Sequence, residues 1–330
     1  MPPATARRLD DVARGARSLS AAPDAIAFHA TADGAMRTAA FHLMTMPFTL
    51  RLRGASEGCL REAACAVRAE LVEVDRVFSP FRADSLTAAF RRGDWGGLLA
   101  SAAFREVYAR CEQARDATGG AFDAWRDGTY DPVGLVKGWA VERAFGRILQ
   151  PLLDEGRAAA AALSGGGDMQ LGVAEGEAFR WGVGIEWPAD APVPVDAVPG
   201  FAGSAAGGPP GAIKSPSSAP APRVLAGTVS VACGAVATSG TGKRGGHIAY
   251  AAGRPADPAD DVAQATVVAP SLTEADVWAT AAVSAGASRF SRIVSADAPV
   301  SAYLLVTRDG ARRSAPSPEP SCTVSRFKAS

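Results

Sequence analysis

The sequence is short of lysine and histidine and has no excess charge of either sign. Only four of its 34 Lys and Arg residues are Lys (137, 214, 243 and 328). His occurs three times (29, 42 and 247), and 34 Asp and Glu bring the formal net charge to zero. A chain without a basic excess lacks the electrostatic surface of a general nucleic-acid binder. It has no apolar run of the roughly 18 residues that a membrane span needs. Nor does an apolar segment follow Arg7 and Arg8, as a secretory signal requires; Asp10 and Asp11 follow instead. The five cysteines (59, 65, 111, 233 and 322) are odd in number and form no CxxC pair, which indicates neither a disulfide framework nor a cysteine zinc site. The expectation is a cytoplasmic protein with reduced, mostly buried thiols. So few His argue against a three-His metal site.

What the chain does have is enough apolar residue for a sizeable core, 48% over 330 residues. That length suits two domains or one large α/β domain. Residues 1–35 show no firm periodicity and suit a short helix or an arm. Residues 41–52 (FHLMTMPFTLRL) alternate toward their end and read as a strand. Leu60, Ala64, Val67, Leu71, Val74 and Phe78 recur at three- and four-residue steps, which predicts an amphipathic helix over 55–77. Further helices are expected over 100–117, 138–153 and 273–286. Strands are expected over 159–163 and 179–186, flanking the SGGGD turn, and over 224–239, 264–269 and 302–307. Residues 188–223 are dense in Pro, Gly, Ala and Ser and poor in large apolar side chains, which predicts a disordered surface insert between strands. The Ser/Pro-rich tail 313–330 reads as frayed.

Four stretches could carry chemistry. In TEADVWAT (273–280), Thr273 suits a helix N-cap. Asp276 and Thr280, four apart, share a helix face and could offer two hard oxygens to Mg²⁺. The same pair reads equally as a cap residue and a core-facing hydroxyl. In DPVGLVKGWAVE (131–142), a Lys follows a Gly-containing turn where a helix begins, a place that suits phosphate; without Walker spacing it is also simply a turn and a solvated Lys. SGGGD (164–168) could bring backbone close to a ligand or serve as a tight turn. In ATSGTGKRGGH (237–247), hydroxyls, two cations and His247 could form an anion site with a general base, or a flexible polar loop.

Each signal is weak alone, but their order is specific. SPFRADS (79–85), GGAFD (119–123), DPVGLVKGWAVE, SGGGD, WGVGIEWP (181–188), GAVATSG (234–240), a following His and ADVWATA (275–281) together resemble the ApbE family of FAD:protein FMN transferases over roughly residues 41–309. The resemblance implies an α/β (α+β) fold related to the T-fold, with a mixed or antiparallel sheet, helices and an FAD site between two lobes. It makes 41–312 a single domain carrying the insert at 188–223, with an arm at 1–40 and a tail at 313–330.

The resemblance further implies a Mg²⁺-dependent transfer of FMN, through its phosphate, from FAD to a Ser or Thr of an acceptor protein, with AMP leaving. The alternatives are an FAD pyrophosphatase or a non-catalytic FAD-binding relative. Residue by residue, Met44, Phe81, Ala121, Phe122, Asp123, Asp131, Lys137, Ser239 and His247 fall at FAD-contacting positions. Gly134, through its carbonyl, Asp276 and Thr280 fall at Mg²⁺ positions. His247 is the general-base candidate, and Lys137 or Arg244 could add positive charge at the phosphates. The sequence departs from the family's pattern at Thr45 and Met46, where Gly and Thr are usual, and at Arg91, Tyr250 and Ala279.

Overall fold

A computed structural model describes residues 25–126, 128–194, 224–241, 250, 253, 255–295 and 297–316. The frame is a nine-stranded sheet among these residues. Its strands are β1 (Ala27–Ala30), β2 (Met36–Leu43), β3 (Met46–Arg53), β6 (Ala160–Gly165), β7 (Asp168–Val173), β10 (Gly234–Gly240), β11 (Val262–Ala269), β12 (Ala302–Thr307) and β13 (Arg312–Pro316), adjacent in that order. Every neighbouring pair is antiparallel. Two small ribbons stand apart: β4 (Trp125–Arg126) with β5 (Thr129–Tyr130), and β8 (Trp181–Glu186) with β9 (Leu225–Val231).

Helices cover one face of the sheet. They are α1 (Glu57–Phe78), α2 (Leu86–Arg91), α3 (Gly96–Ala100), α4 (Ala102–Ala117), α5 (Val133–Ala144), α6 (Gln150–Asp154), α7 (Leu272–Ala285) and α8 (Ala287–Ile293), with a π-turn at Phe145–Leu149 joining α5 to α6. In α1 the side chain of Ser56 accepts the Cys59 N–H and caps the start. Its six expected apolar positions are all buried, each contributing about 1.5–3 kcal/mol for a large side chain. The opposite sheet face is covered by the β8–β9 ribbon, where Trp181, Val183, Ile185 and Trp187 pack on Ala162, Leu171, Val236 and Val268. Between these two layers every residue of β11 is buried. Gln264 and Thr266 are buried along with their apolar neighbours, so burial along this strand does not follow the polar–apolar alternation of its first residues.

Several sequence expectations are corrected. The single strand expected over 41–52 is the end of β2, a two-residue turn and β3, and the turn residues Met44 and Thr45 have φ of 51° and 61°. The sheet therefore begins inside the expected arm, since β1 and most of β2 precede residue 41. SGGGD is flanked by β6 and β7 rather than by 179–186: Gly166 and Gly167 make the turn with positive φ, while β8 belongs to the separate ribbon. The stretch 224–239 is two strands in different sheets, β9 and β10, broken at residues 232–233. The insert joins two strands that pair with each other; of its first residues Pro188 and Ala191 are buried, and 195–223 lie outside the described residues. Residues 312–316, expected as mostly tail, pair with β12 as β13. Cys65 and Cys233 are exposed, against the expectation of mostly buried thiols. No described helix is long and apolar enough to cross a membrane.

Candidate functional site

The site forms where α5 and α7 approach each other over the ends of β7 and β10. Gly138 makes the approach possible. A Cβ there would lie 2.6 Å from the Leu272 carbonyl oxygen and 3.0 Å from the Asp276 Cβ. Ser271 caps α7, its side chain accepting the Glu274 N–H. Thr273, expected as the cap, instead binds α5: its N–H donates to Glu142 Oε2 at 3.0 Å and its hydroxyl donates to the same oxygen. From the sheet, Gln170 accepts the Leu272 N–H at 2.9 Å. The N-terminus of α7 is thus held by hydrogen bonds to a carboxylate of α5 and an amide of β7, which are costly to leave unmade.

Lys137, one residue before Gly138, places its ammonium between two carboxylates. It donates to Asp168 Oδ2 and lies 3.1 Å from Asp276 Oδ1. Asp276 Oδ2 accepts the Gly138 N–H at 3.2 Å, and Asp168 Oδ1 accepts the Thr238 N–H at 2.7 Å. Asp276 is 1% exposed and Asp168 2%. One helical turn beyond Asp276, the Thr280 hydroxyl is 3.1 Å from that of Ser239. Burial pushes the Asp276 carboxyl above the usual carboxylate range, and the like charge of Asp168 adds to this against the pull of Lys137. Burial also opposes the Lys137 charge, but the two carboxylates outweigh it and hold the ammonium above its ordinary pKa. Two buried carboxylates therefore share one ammonium, leaving a formal excess of one negative charge.

Lys137, Asp168 and Ser239 line a cavity of about 360 Å³. Its other walls come from Gly166 and Gly167, from Thr238 and Gly240 at the end of β10, and from Gly184–Ala189 at the exit of β8. This combination of exposed turn backbone, a cation and hydroxyls suits an anionic ligand.

The structure brings together four of the expected residues, Lys137, Ser239, Asp276 and Thr280. Gly134 lies one turn before Lys137 on α5, against the Phe122 ring. Asp131 stands just before that helix, accepting the Val133 N–H at 3.2 Å and lying 3.4 Å from Arg91 Nη2. Arg91 thus supports Asp131 directly. Asp123 accepts the Trp125 N–H at 2.8 Å. Ala121 and Phe122 are buried in the core, Met44 sits at the β2–β3 turn, and Phe81 is 82% exposed between α1 and α2. His247 lies outside the described residues, as do Lys243 and Arg244. Asp168 was not among the expected site residues. Its signal in the sequence was the carboxylate closing SGGGD, which the glycines before it overshadow. No group of three or more His, Cys, Asp or Glu arranged for a metal occurs among the described residues.

The model of the ApbE family matches residues 126–304. Among solved structures, the flavin transferase ApbE from Vibrio cholerae superposes with a TM-score of 0.61 at 17% identity, over 86% of this chain and 97% of that one. The apo form of the Pseudomonas stutzeri flavinyl transferase ApbE gives 0.58 at 16% identity, over 89% and 95%. The ApbE protein of Thermotoga maritima gives 0.59 at 17% identity, over 88% and 96%. At these identities the likeness is one of fold: a mixed α/β architecture with an antiparallel sheet and helices. No curated protein sequence matches the chain.

Proposed function

Because the chain belongs to the ApbE family, we propose that it is a Mg²⁺-dependent FAD:protein FMN transferase, which joins FMN through its phosphate to a Ser or Thr of an acceptor protein and releases AMP. The observation that carries this reading is the Lys137 ammonium held between Asp168 and Asp276 on the wall of the cavity. The donors there suit Mg²⁺. They are hard oxygens behind the Lys137 and Ser239 wall, a carboxylate and a hydroxyl one helical turn apart with a second hydroxyl beside them. Mg²⁺ takes few protein ligands and completes its shell with water and substrate phosphate, so a third acidic residue is not required. Asp276, Thr280 and the Gly134 carbonyl would hold it, and bound there it would neutralise charge developing on the pyrophosphate.

The chain's own groups divide the remaining work. Lys137 supplies a fixed positive charge to the phosphates. Asp168 orients that ammonium, and the Thr238 N–H in turn fixes Asp168. The acceptor hydroxyl oxygen forms the new bond to the FMN phosphorus, and the phosphoanhydride bond breaks with its electron pair leaving on AMP. The hydroxyl proton passes to a base, a role that sequence resemblance assigns to His247.

The test is incubation with FAD, Mg²⁺ and candidate acceptors encoded near this chain's gene. A covalently labelled, fluorescent acceptor band with one AMP per label is expected. AMP and free FMN in equal amounts without acceptor would make the protein an FAD pyrophosphatase. Tight FAD binding without AMP under any divalent ion would make it a binding protein.

A further inference from the structure

The cavity has two walls in different sheets. Glu186–Ala189 continue from β8 of the ribbon, and Thr238–Gly240 end β10 of the large sheet. Among the described residues no strand pairing joins β8 to β10, so no backbone ladder fixes the gap between the walls. Side chains do. On the cavity lining, Gln264 of β11 donates to the Glu186 carbonyl at 2.8 Å. A single guanidinium, Arg308, gathers the chain just beyond each wall.

Arg308 follows β12. Its Nη1 donates to Asp190 Oδ2 at 2.6 Å, and its Nη2 donates to the Thr241 hydroxyl oxygen. The Thr241 hydroxyl donates to the same Asp190 oxygen at 2.7 Å, closing a triangle. Asp190 directly follows Ala189 of one wall, and Thr241 directly follows Gly240 of the other. Arg308 is itself anchored: its Nε lies 3.4 Å from Asp261 Oδ2, and its N–H donates to the Asp261 carbonyl at 2.8 Å. The side chains of Arg308 and Asp190 are 19% and 27% exposed and that of Asp261 3%, so the Arg308–Asp190 bond is partly shielded from water and more directional than a fully exposed surface pair. The planar fork of Arg is the feature that lets one residue hold both walls.

We propose that Arg308 is a positioning residue for the flavin dinucleotide, setting the separation of the two cavity walls through Asp190 and Thr241 without touching a reacting atom. The inference rests on reading the cavity as the FAD site.

The test measures FAD affinity by flavin fluorescence, together with melting temperature, on the full chain. Thr241→Val removes the two hydrogen bonds that tie the β10 wall to Asp190 and Arg308, and leaves the Arg308–Asp190 and Gln264–Glu186 contacts and every charge pair in place. It should raise Kd and KM for FAD about fivefold, the equivalent of one ordinary hydrogen bond, with kcat and melting temperature close to wild type. Arg308→Lys keeps the charge that balances Asp190 and Asp261 but replaces the fork by a point charge. It should restore most of the melting temperature lost in Arg308→Met without restoring FAD affinity. Wild-type Kd in Thr241→Val, or a fall in kcat with KM unchanged, would overturn the proposal. Failure of the wild-type protein itself to bind FAD would instead remove the reading of the cavity on which it rests.

Discussion

Gly138 of α5 lies so close to Leu272 of α7 that a Cβ would come 2.6 Å from the Leu272 carbonyl oxygen. The same residue's N–H donates to Asp276. One missing side chain therefore sets both the helix spacing and the orientation of the buried carboxylate. Gly138→Ala should force the helices apart at a cost of about 1–3 kcal/mol, as overpacking does elsewhere. It should also abolish Mg²⁺-dependent AMP release. A variant with wild-type melting temperature and turnover would show that the contact relaxes freely.

The raised pKa of Asp276 gives stability a sign. The folded protein holds this proton more tightly than the unfolded chain does. The contribution of the group is therefore fully present below the ordinary carboxylate pKa and is lost as pH rises through the higher folded value. Asp276→Asn should gain in melting temperature relative to wild type on going from pH 5 to pH 8 without divalent ions. Added Mg²⁺ should reverse this by stabilising only the wild type. A Mg²⁺ shift equal in both proteins would place the ion elsewhere.

Lys137→Met would leave Asp168 and Asp276 facing each other without a cation. Breaking a buried ion pair from one side costs about 3–5 kcal/mol, so unfolding should occur at distinctly lower denaturant concentration at pH 8. The loss should shrink at pH 5, where one carboxyl takes up a proton. A pH-independent loss would mean that the carboxylates do not share the ammonium.

The β2–β3 turn carries Met44 and Thr45 at φ of 51° and 61°, where two-residue hairpins favour Asn and Gly. A left-handed residue bearing a Cβ costs about 1–2 kcal/mol. Thr45→Gly should therefore stabilise the protein by about 1 kcal/mol, less the added chain entropy, and thermal melting checks it. An unchanged or lower melting temperature would show that the Thr45 side chain contributes contacts that outweigh the strain.

Thiol reactivity should divide by burial. Cys65 and Cys233 are exposed, Cys59 and Cys111 buried, and burial pushes the Cys111 thiol up to about 12. Alkylation of the native protein at pH 8 should mark Cys65 and Cys233 within minutes, and Cys59 and Cys111 only after unfolding. Mass spectrometry of the digested protein reads this directly.

The helix α1 was legible because its apolar spacing answers to local geometry: six buried positions follow from the period alone. Asp276 and Thr280 were legible as a pair for the same reason, being one turn apart on a single helix. Met44–Thr45 was not legible as a turn, because neither residue is a usual turn former and the strand pattern runs across them. The break between β9 and β10 was hidden for a similar reason. No proline or charged residue separates them, and the joining Ala232 and Cys233 are small, so the composition does not change at the break.

Asp168 shows where sequence reading stops. It is 31 residues from Lys137 and 108 from Asp276, and no spacing rule links residues so far apart. By itself the sequence determined the family and the helical faces, because motif order and local periodicity are one-dimensional properties. Only the tertiary structure decided that two carboxylates share one ammonium and that Arg308 ties together walls from two sheets. Those facts depend on how closely separate elements pack: Gly138 allows α5 to reach α7, and the ribbon covers a sheet to which, among the described residues, no ladder joins it.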